Sequence, residues 1–525
     1  MMSGDAAAPR RGMWGPARPA PRDIIAGLSV ALVLIPQSFA YAELAGLTGT
    51  QGLYASAVPL IAAAFFASCP YLQTGPVALT ALLTYGALVP LAETGSADYI
   101  GAAALLALIV GVTRMGIGFI KAGWVSYIMS EPVLRGFTSG AAVLIILSQI
   151  PGALGVQVAA TGPVSGFFEV LTAPSAWNPT AAAMTLMTLA ATLLARRIHR
   201  LLPGALIAVV VGIVVAGQVG YQGPTVGPVE AAFPPLSLDV PWGMFPALLL
   251  PGVVIALVGF AESAAICQMY ASRERARWDP DQEFLSQGAA NLAAGVLGGF
   301  PVGGSFSRSS LNQMSGAVTR WSGAATGLAI LMFLPFTDLL APLPKAVLAG
   351  VVIAAVVGLL RLPSLLGLWK LSYGQAMVAW ATFAFCLLLS PRIEQAVLMG
   401  ILMSFMAHAW RERKAAFVAE MDGRTLRIQT RGVLWFASAP RLEQRILSYL
   451  AETEDIDTVV INLGGLGRID LTGALVIGRI LDEIGAAGID GSLEAVPRHA
   501  ERVLANVLGD QSQDSPSDEL TAGDS

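Results

Sequence analysis

Apolar segments close to the roughly 20 residues that a helix needs to cross a bilayer recur from Ile24 to Trp410, and this recurrence constrains the chain more than anything else in it. Fourteen are read, at 22–46, 52–68, 74–91, 98–119, 126–150, 178–196, 203–218, 246–271, 285–299, 304–318, 323–340, 345–360, 373–390 and 392–410. Only 13% of the 525 residues are charged and 55% are hydrophobic, about half the charged share of a soluble protein. A soluble globular class is excluded, and the lipid bilayer is the solvent for most of the chain.

Basic residues give these segments a direction. With the amino terminus inside, the inner loops hold Lys121, Arg196, Arg197, Arg273, Arg275, Arg277, Arg320, Arg361 and Lys370, while the outer loops hold Glu93, Asp98 and Asp239. Lys345 and Arg392 are the outer exceptions. This is the positive-inside pattern, so both termini are expected in the cytoplasm. Arginine outnumbers lysine and alanine is abundant, as in proteins of GC-rich bacteria, so the expected location is a bacterial plasma membrane.

One segment breaks the apolar rule. Gly298 to Ala317 is rich in glycine and hydroxyls and carries Arg308. Hydrocarbon cannot solvate bare backbone or a guanidinium, so the segment must be buried in protein or line a wet cavity. Glycines and serines opening a short helix also make an anion cradle, because the first helical N–H groups lack partners and the dipole end is positive. The third segment opens in the same irregular way, at Gln73-Thr74-Gly75-Pro76-Val77-Ala78. Segments three and ten are seven spans apart, and segments one and eight each carry one glutamate, Glu43 and Glu262. Matched interruptions in two halves point to an inverted repeat with a binding site between them. Seven is odd, so the halves are inverted.

From this the substrate-binding residues are expected to be Val77, Ala78, Ser305, Phe306, Ser307 and Arg308, with Phe39 and Tyr41 lining the cavity from the first segment. Glu43 and Glu262 are the coupling candidates. A carboxyl group in a low-dielectric site can take up a proton near neutrality, which suits a co-transported proton; a sodium ion is the rival at Glu262. Glu131 and Arg135, one turn apart, read as a local ion pair. Cys69, Cys267 and Cys386 read as small buried hydrophobes. No metal-ligand cluster, cofactor motif or GxxxxGK[ST] loop is present, so neither a cofactor nor a primary pump is expected, nor a nucleic-acid partner.

After Lys414 the pattern changes. Residues 424–436 and 457–463 read as strands, 441–449 and 471–484 as helices, and 491–496 as a further strand, which makes a small cytoplasmic α/β domain. The domain reading is therefore a cytoplasmic segment at 1–21, a transmembrane domain at 22–410, the α/β domain at 411–508 and a disordered tail at 509–525.

Together these features resemble the SulP family of anion transporters. The resemblance rests on Asp23-Ile24-Ile25-Ala26-Gly27-Leu28 through Ile35-Pro36-Gln37-Ser38-Phe39-Ala40-Tyr41-Ala42, on Gly75-Pro76-Val77-Ala78, and on Ser305-Phe306-Ser307-Arg308-Ser309. The stretch from Val459-Val460-Ile461-Asn462-Leu463 to Asp470-Leu471-Thr472-Gly473 is similar to a STAS domain, although soluble STAS proteins read Asp-Ser-Ser-Gly there. The resemblance implies a helical membrane protein of fourteen segments in a seven-plus-seven inverted repeat. A core domain (segments 1–4 and 8–11) would move against a gate domain (5–7 and 12–14), usually in a homodimer. It implies secondary active transport of sulfate, bicarbonate or a dicarboxylate. A nucleobase transporter of the same architecture, an anion exchanger or channel, and a membrane-anchored STAS scaffold are the alternatives.

Overall fold

A computed structural model describes residues 18–160, 162–199, 202–229, 233–234, 236–412, 416–436, 438–453 and 456–511. Most of the expected amino-terminal segment and the tail from residue 512 lie outside the described residues. The chain divides near residue 404 into two compact units.

The first unit is helical. Its helices are α1 (Pro21–Leu44), α2 (Gly49–Ser56), α3 (Val58–Phe66), α4 (Ala78–Leu88), α5 (Ala97–Phe119), α6 (Glu131–Ala153), α7 (Pro163–Thr172), α8 (Pro179–Ile198) and α9 (Gly204–Gln218). The second half continues with α10 (Phe245–Glu274), α11 (Pro280–Val296), α12 (Phe306–Met314), α13 (Trp321–Phe333), α14 (Lys345–Val356), α15 (Leu362–Leu371), α16 (Tyr373–Leu388) and α17 (Ile393–Glu412). Two short strands, β1 (Thr74–Gly75) and β2 (Gly303–Gly304), immediately precede the turns into α4 and α12. Among the described residues eight helical stretches are long and apolar enough to cross a membrane unaided. Each of the fourteen segments read from the sequence coincides with a helix, a half-helix or the α2–α3 pair. The reading missed α7 and α15, ten residues each, which are too short to span and follow α6 and α14 at matched places in the two halves.

The halves interlock. α5 packs on α11, α3 on α13, α6 on α16 and α8 on α14, so every one of these contacts joins the first half to the second. Small residues let them approach: a Cβ on Gly111, Gly288 or Gly295 would overlap the α5–α11 interface. Asp23, fully buried, accepts from the amides of Val318 and Thr319 (2.8 and 2.9 Å) and from the Thr319 hydroxyl (2.6 Å), which ties the start of α1 to the loop after α12. All three cysteines are buried thiols, and Arg135 meets Glu131 at 2.8 Å, as expected.

The second unit carries a sheet of β3 (Ala416–Asp422), β4 (Thr425–Leu434), β5 (Thr458–Ile469) and β6 (Asp490–Glu494) in that spatial order. β3–β4 is an antiparallel hairpin, and β4–β5 and β5–β6 are parallel. Helices α18 (Ala439–Glu452), α19 (Leu471–Ala486) and α20 (Arg498–Gln511) complete it. Val459, Ile461 and Leu463 on β5 and Ile477, Ile480 and Ile484 on α19 form the apolar core. β3 and α20 were not read from the sequence.

Candidate functional site

The candidate site is a backbone crossing. β1 and β2 pair antiparallel with Thr74 opposite Gly304 and Gly75 opposite Gly303. Each strand can be only two residues long because Pro76 ends one and the turn into α12 ends the other. Buried amides and hydroxyls secure the ladder. The Ser305 amide donates to the Gln73 carbonyl (3.1 Å), the Gln73 amide to Ser309 Oγ (3.0 Å) and the Gly304 amide to Ser263 Oγ (3.0 Å). Gln287 Nε2 donates to Thr74 Oγ1 (2.7 Å), while Asn291 brackets Val302 by both its amide (2.9 Å) and its carbonyl (3.1 Å).

From this crossing α4 and α12 start. Val77 and Ser305 are their extended N-caps, and the first N–H groups to find an intrahelical carbonyl are those of Ala81 (to Val77) and Ser309 (to Ser305). The amides of Ala78, Leu79, Thr80, Phe306 and Ser307 therefore precede the helical ladder, and both positive dipole ends face the same region. The Ser305 amide is not among them. The sequence placed it in the anion shell, but it is held by Gln73, so Ser305 offers only its hydroxyl, 3.3 Å from that of Ser307. Ser307 is exposed, while Val77 and Ala78 are buried beside the first turn of α4.

Arg308 is 0% exposed. Its Nη1 donates to the Pro76 carbonyl (2.8 Å) and, more weakly, to Gln37 Oε1 (3.4 Å), which carries the guanidinium from α12 across to the start of α4. Among the described residues its Nε and Nη2 have no hydrogen-bond partner. Two buried, unsatisfied donors on a cation are costly unless something anionic meets them. Glu262 and Tyr41 both lie within electrostatic reach of this guanidinium.

The side chains of three candidates, Phe39, Phe306 and Glu43, have partners away from the crossing. Phe39 packs against α2, where a Cβ on Gly49 would overlap its ring. Residues two apart on a helix point about 200° apart, so Phe39 and Tyr41 face apart, and Tyr41 is the one within electrostatic reach of the Arg308 guanidinium. The Phe306 ring packs on an apolar cluster of Cys69, Leu72, Ile266, Cys267 and Tyr270, which leaves only its amide for the site. Glu43 ion-pairs with Lys345 at 2.9 Å, beside a cavity of about 200 Å³ that Tyr85 and Gln149 also line.

Arg114 was missed. It lies on α5, is 0% exposed, and bonds three carbonyls: Nε to Ala256 (3.0 Å), Nη1 to Val302 (2.9 Å) and Nη2 to Ile255 (3.3 Å). An arginine inside an apolar span was itself the signal. Among the described residues no group of three His, Cys, Asp or Glu side chains converges as a metal site.

Residues 21–382 match the sulfate permease family and residues 416–509 match the STAS domain. The chain belongs to the sulfate permease family. It is 31% identical over 419 residues to the "Sulfate transporter 4.1, chloroplastic" of Arabidopsis thaliana, covering 77% of this chain and 61% of that protein. The chain thus spans less than two thirds of the plant relatives' length. It is 30% identical to the "Sodium-independent sulfate anion transporter" of Bos taurus over 529 residues, 92% of this chain and 85% of that one. In fold it is similar to murine Solute Carrier 26 family member A9 (TM-score 0.87, 19% identity, 94% of this chain and 88% of that chain). It is also similar to the transmembrane domain of the cyanobacterial bicarbonate transporter BicA (TM-score 0.64, 23% identity, 75% and 99%).

Proposed function

We propose that the protein is a secondary active transporter of a small oxyanion, of the sulfate, bicarbonate or dicarboxylate class, in a bacterial plasma membrane. The observation that carries the reading is the pair of unpartnered donors on buried Arg308, set between the first amides of α4 and α12. An oxyanion presents acceptors in several directions, which suits two helix ends and a guanidinium edge together. A nucleobase site would instead need a carboxylate to bond ring N–H groups, and Ser307-Arg308 stands in its place.

Proton coupling falls to Glu262. It lies one residue from Ser263, which holds the Gly304 amide, and it acts on Arg308. A neutral Glu262 leaves the Arg308 charge to the anion, whereas an ionised Glu262 competes with it, so anion and proton would enter together. Glu43, fixed by Lys345, has no such role.

An elevator-like movement is supported by how the helices group. α1, α4, α5, α10, α11, α12 and α13 pack around the crossing, while α6, α7, α8, α9, α14, α15 and α16 pack on one another. The first group would carry the site past the second, in a homodimer.

Uptake by proteoliposomes across sulfate, bicarbonate and fumarate, with and without inward proton or sodium gradients, tests the reading. Uptake of at least one anion that rises with an inward proton gradient and falls at least about tenfold in Arg308→Gln is expected, because a charge-assisted contact is worth that much. No uptake of any of the three, or full uptake by Arg308→Gln, overturns it.

A further inference from the structure

The antiparallel register that sets Thr74 opposite Gly304 and Gly75 opposite Gly303 brings Pro76 opposite Val302 as the next pair. Both carbonyls of that pair are held by a buried arginine, and each arginine comes from the other half of the chain. Arg308, of the second half, bonds the Pro76 carbonyl of the first at 2.8 Å. Arg114, of the first half, bonds the Val302 carbonyl of the second at 2.9 Å. The two differ in what they have left. Arg308 keeps two nitrogens unpaired, whereas each nitrogen of Arg114 finds a carbonyl.

Arg114 also lies close to the anion-facing end of α4. A Cβ on Gly259 would stand 2.5 Å from Arg114 Nη2 and 3.1 Å from Thr80 Cγ2, so the guanidinium and the first turn of α4 flank the same glycine. Among the described residues Arg114 makes no ion pair, and its three hydrogen-bond partners there are neutral carbonyls. A buried cation without a counterion is expensive, and a strut between α5, α10 and β2 could be built from an uncharged amide at lower cost.

We propose that Arg114 is a positioning residue for the anion site that acts in two separable ways: its planar fork fixes the approach to α12, and its unbalanced charge holds the cavity positive for an anion it does not touch. This rests on the oxyanion reading above and names a second cation behind it. In Arg114→Lys the charge remains and the fork is lost; in Arg114→Gln the charge is lost and a shorter polar group remains.

The test uses the purified full-length chain and whichever of sulfate, bicarbonate and fumarate the wild-type protein takes up. Dissociation constants are measured in detergent and saturated uptake rates in proteoliposomes. Arg114→Gln is expected to weaken binding about tenfold or more, since the charge acts through a low-dielectric medium. Arg114→Lys is expected to hold affinity within about threefold while the saturated rate falls, since a point charge cannot span three carbonyls. Equal loss of affinity in both variants makes Arg114 a strut only and overturns the proposal, as does wild-type affinity in a monodisperse Arg114→Gln protein. If the Gln variant does not fold, the Lys variant decides alone: affinity retained supports the proposal, and affinity lost tenfold overturns it. Failure of the wild-type protein to bind any of the three anions is the failure of the oxyanion reading, and is seen before any Arg114 variant is compared.

Discussion

Glu43 Oε1 lies 2.9 Å from Lys345 Nζ and joins the end of α1 to the first residue of α14. Lys345 is one of the two basic residues that broke the charge pattern of the outer loops, and Glu43 is its counter-charge. The pair links the two helix groups that the proposed elevator-like movement would carry past each other, so under that proposal it would be made in one conformation and parted in the other. Both side chains are over a third exposed, so the pair is worth no more than about 1 kcal/mol. A double-mutant cycle of Glu43→Gln and Lys345→Met on thermal unfolding should give a coupling in that range. Proton-driven uptake should persist in both single variants. Its loss in Glu43→Gln alone would return the coupling role to Glu43.

Glu262→Gln is the complementary case. The amide keeps the size of the side chain and removes its charge and its proton. Binding of anion should then no longer depend on pH between about 5 and 8, the range in which a coupled carboxyl must change state. Uptake should no longer respond to an inward proton gradient, while exchange of internal for external anion continues. A Glu262→Gln protein that still accumulates anion against a proton-gradient control would remove Glu262 from coupling.

The crossing itself makes a prediction from two glycines opposite each other in one ladder. Gly75 has φ of 154°, a conformation that residues with a Cβ avoid, and its Cβ would come 3.4 Å from Arg308 Nη2. Gly303 has an ordinary φ, and its Cβ would make only normal contacts at 3.5 Å or more. Gly75→Ala should therefore lower anion affinity and thermal stability, by about 1–3 kcal/mol for the strained backbone. Gly303→Ala should cost less than about 1 kcal/mol and keep binding. Equal effects would mean that the strand pairing, rather than the Gly75 conformation, sets the cost.

The two glycine- and proline-rich breaks and Arg308 were legible in the sequence because a bilayer makes irregular backbone and buried charge conspicuous. Their pairing was legible too, since seven-span spacing is a property of chain order. Side-chain direction was not. Tyr41 and Phe39 belong to one motif yet face apart, and only the ring packed on Gly49 distinguishes them. The Ser305 amide looked available because its partner, the Gln73 carbonyl, is over 200 residues away along the chain. Arg114 is the clearer lapse: nothing local marks the three carbonyls that hold it, but its place within an apolar span of α5 does. In the STAS unit the alternation of strand and helix was read correctly, whereas β3 begins too close to the last membrane helix for a change of pattern to show.

Asp470 gives a prediction for that second unit. It caps α19, with Oδ1 accepting from the Gly473 amide at 2.7 Å, and its Oδ2 accepts from the Phe436 amide at 3.1 Å, which ties the start of α19 to the end of β4. Here the sequence reads Asp470-Leu471-Thr472-Gly473, with exposed Leu471 and Thr472 between cap and glycine. Loss of one cap costs about 1 kcal/mol, and the second bond adds a similar amount. Asp470→Ala should therefore speed amide hydrogen exchange across Leu471–Ala486 by about tenfold or more, with exchange in α5 unchanged. Asp470→Asn keeps one acceptor oxygen and should recover about half of that protection on a logarithmic scale. Exchange in α19 that is the same in Asp470→Ala and the wild-type chain would show that the helix start is held by the packing of Ile477 and Ile480 alone.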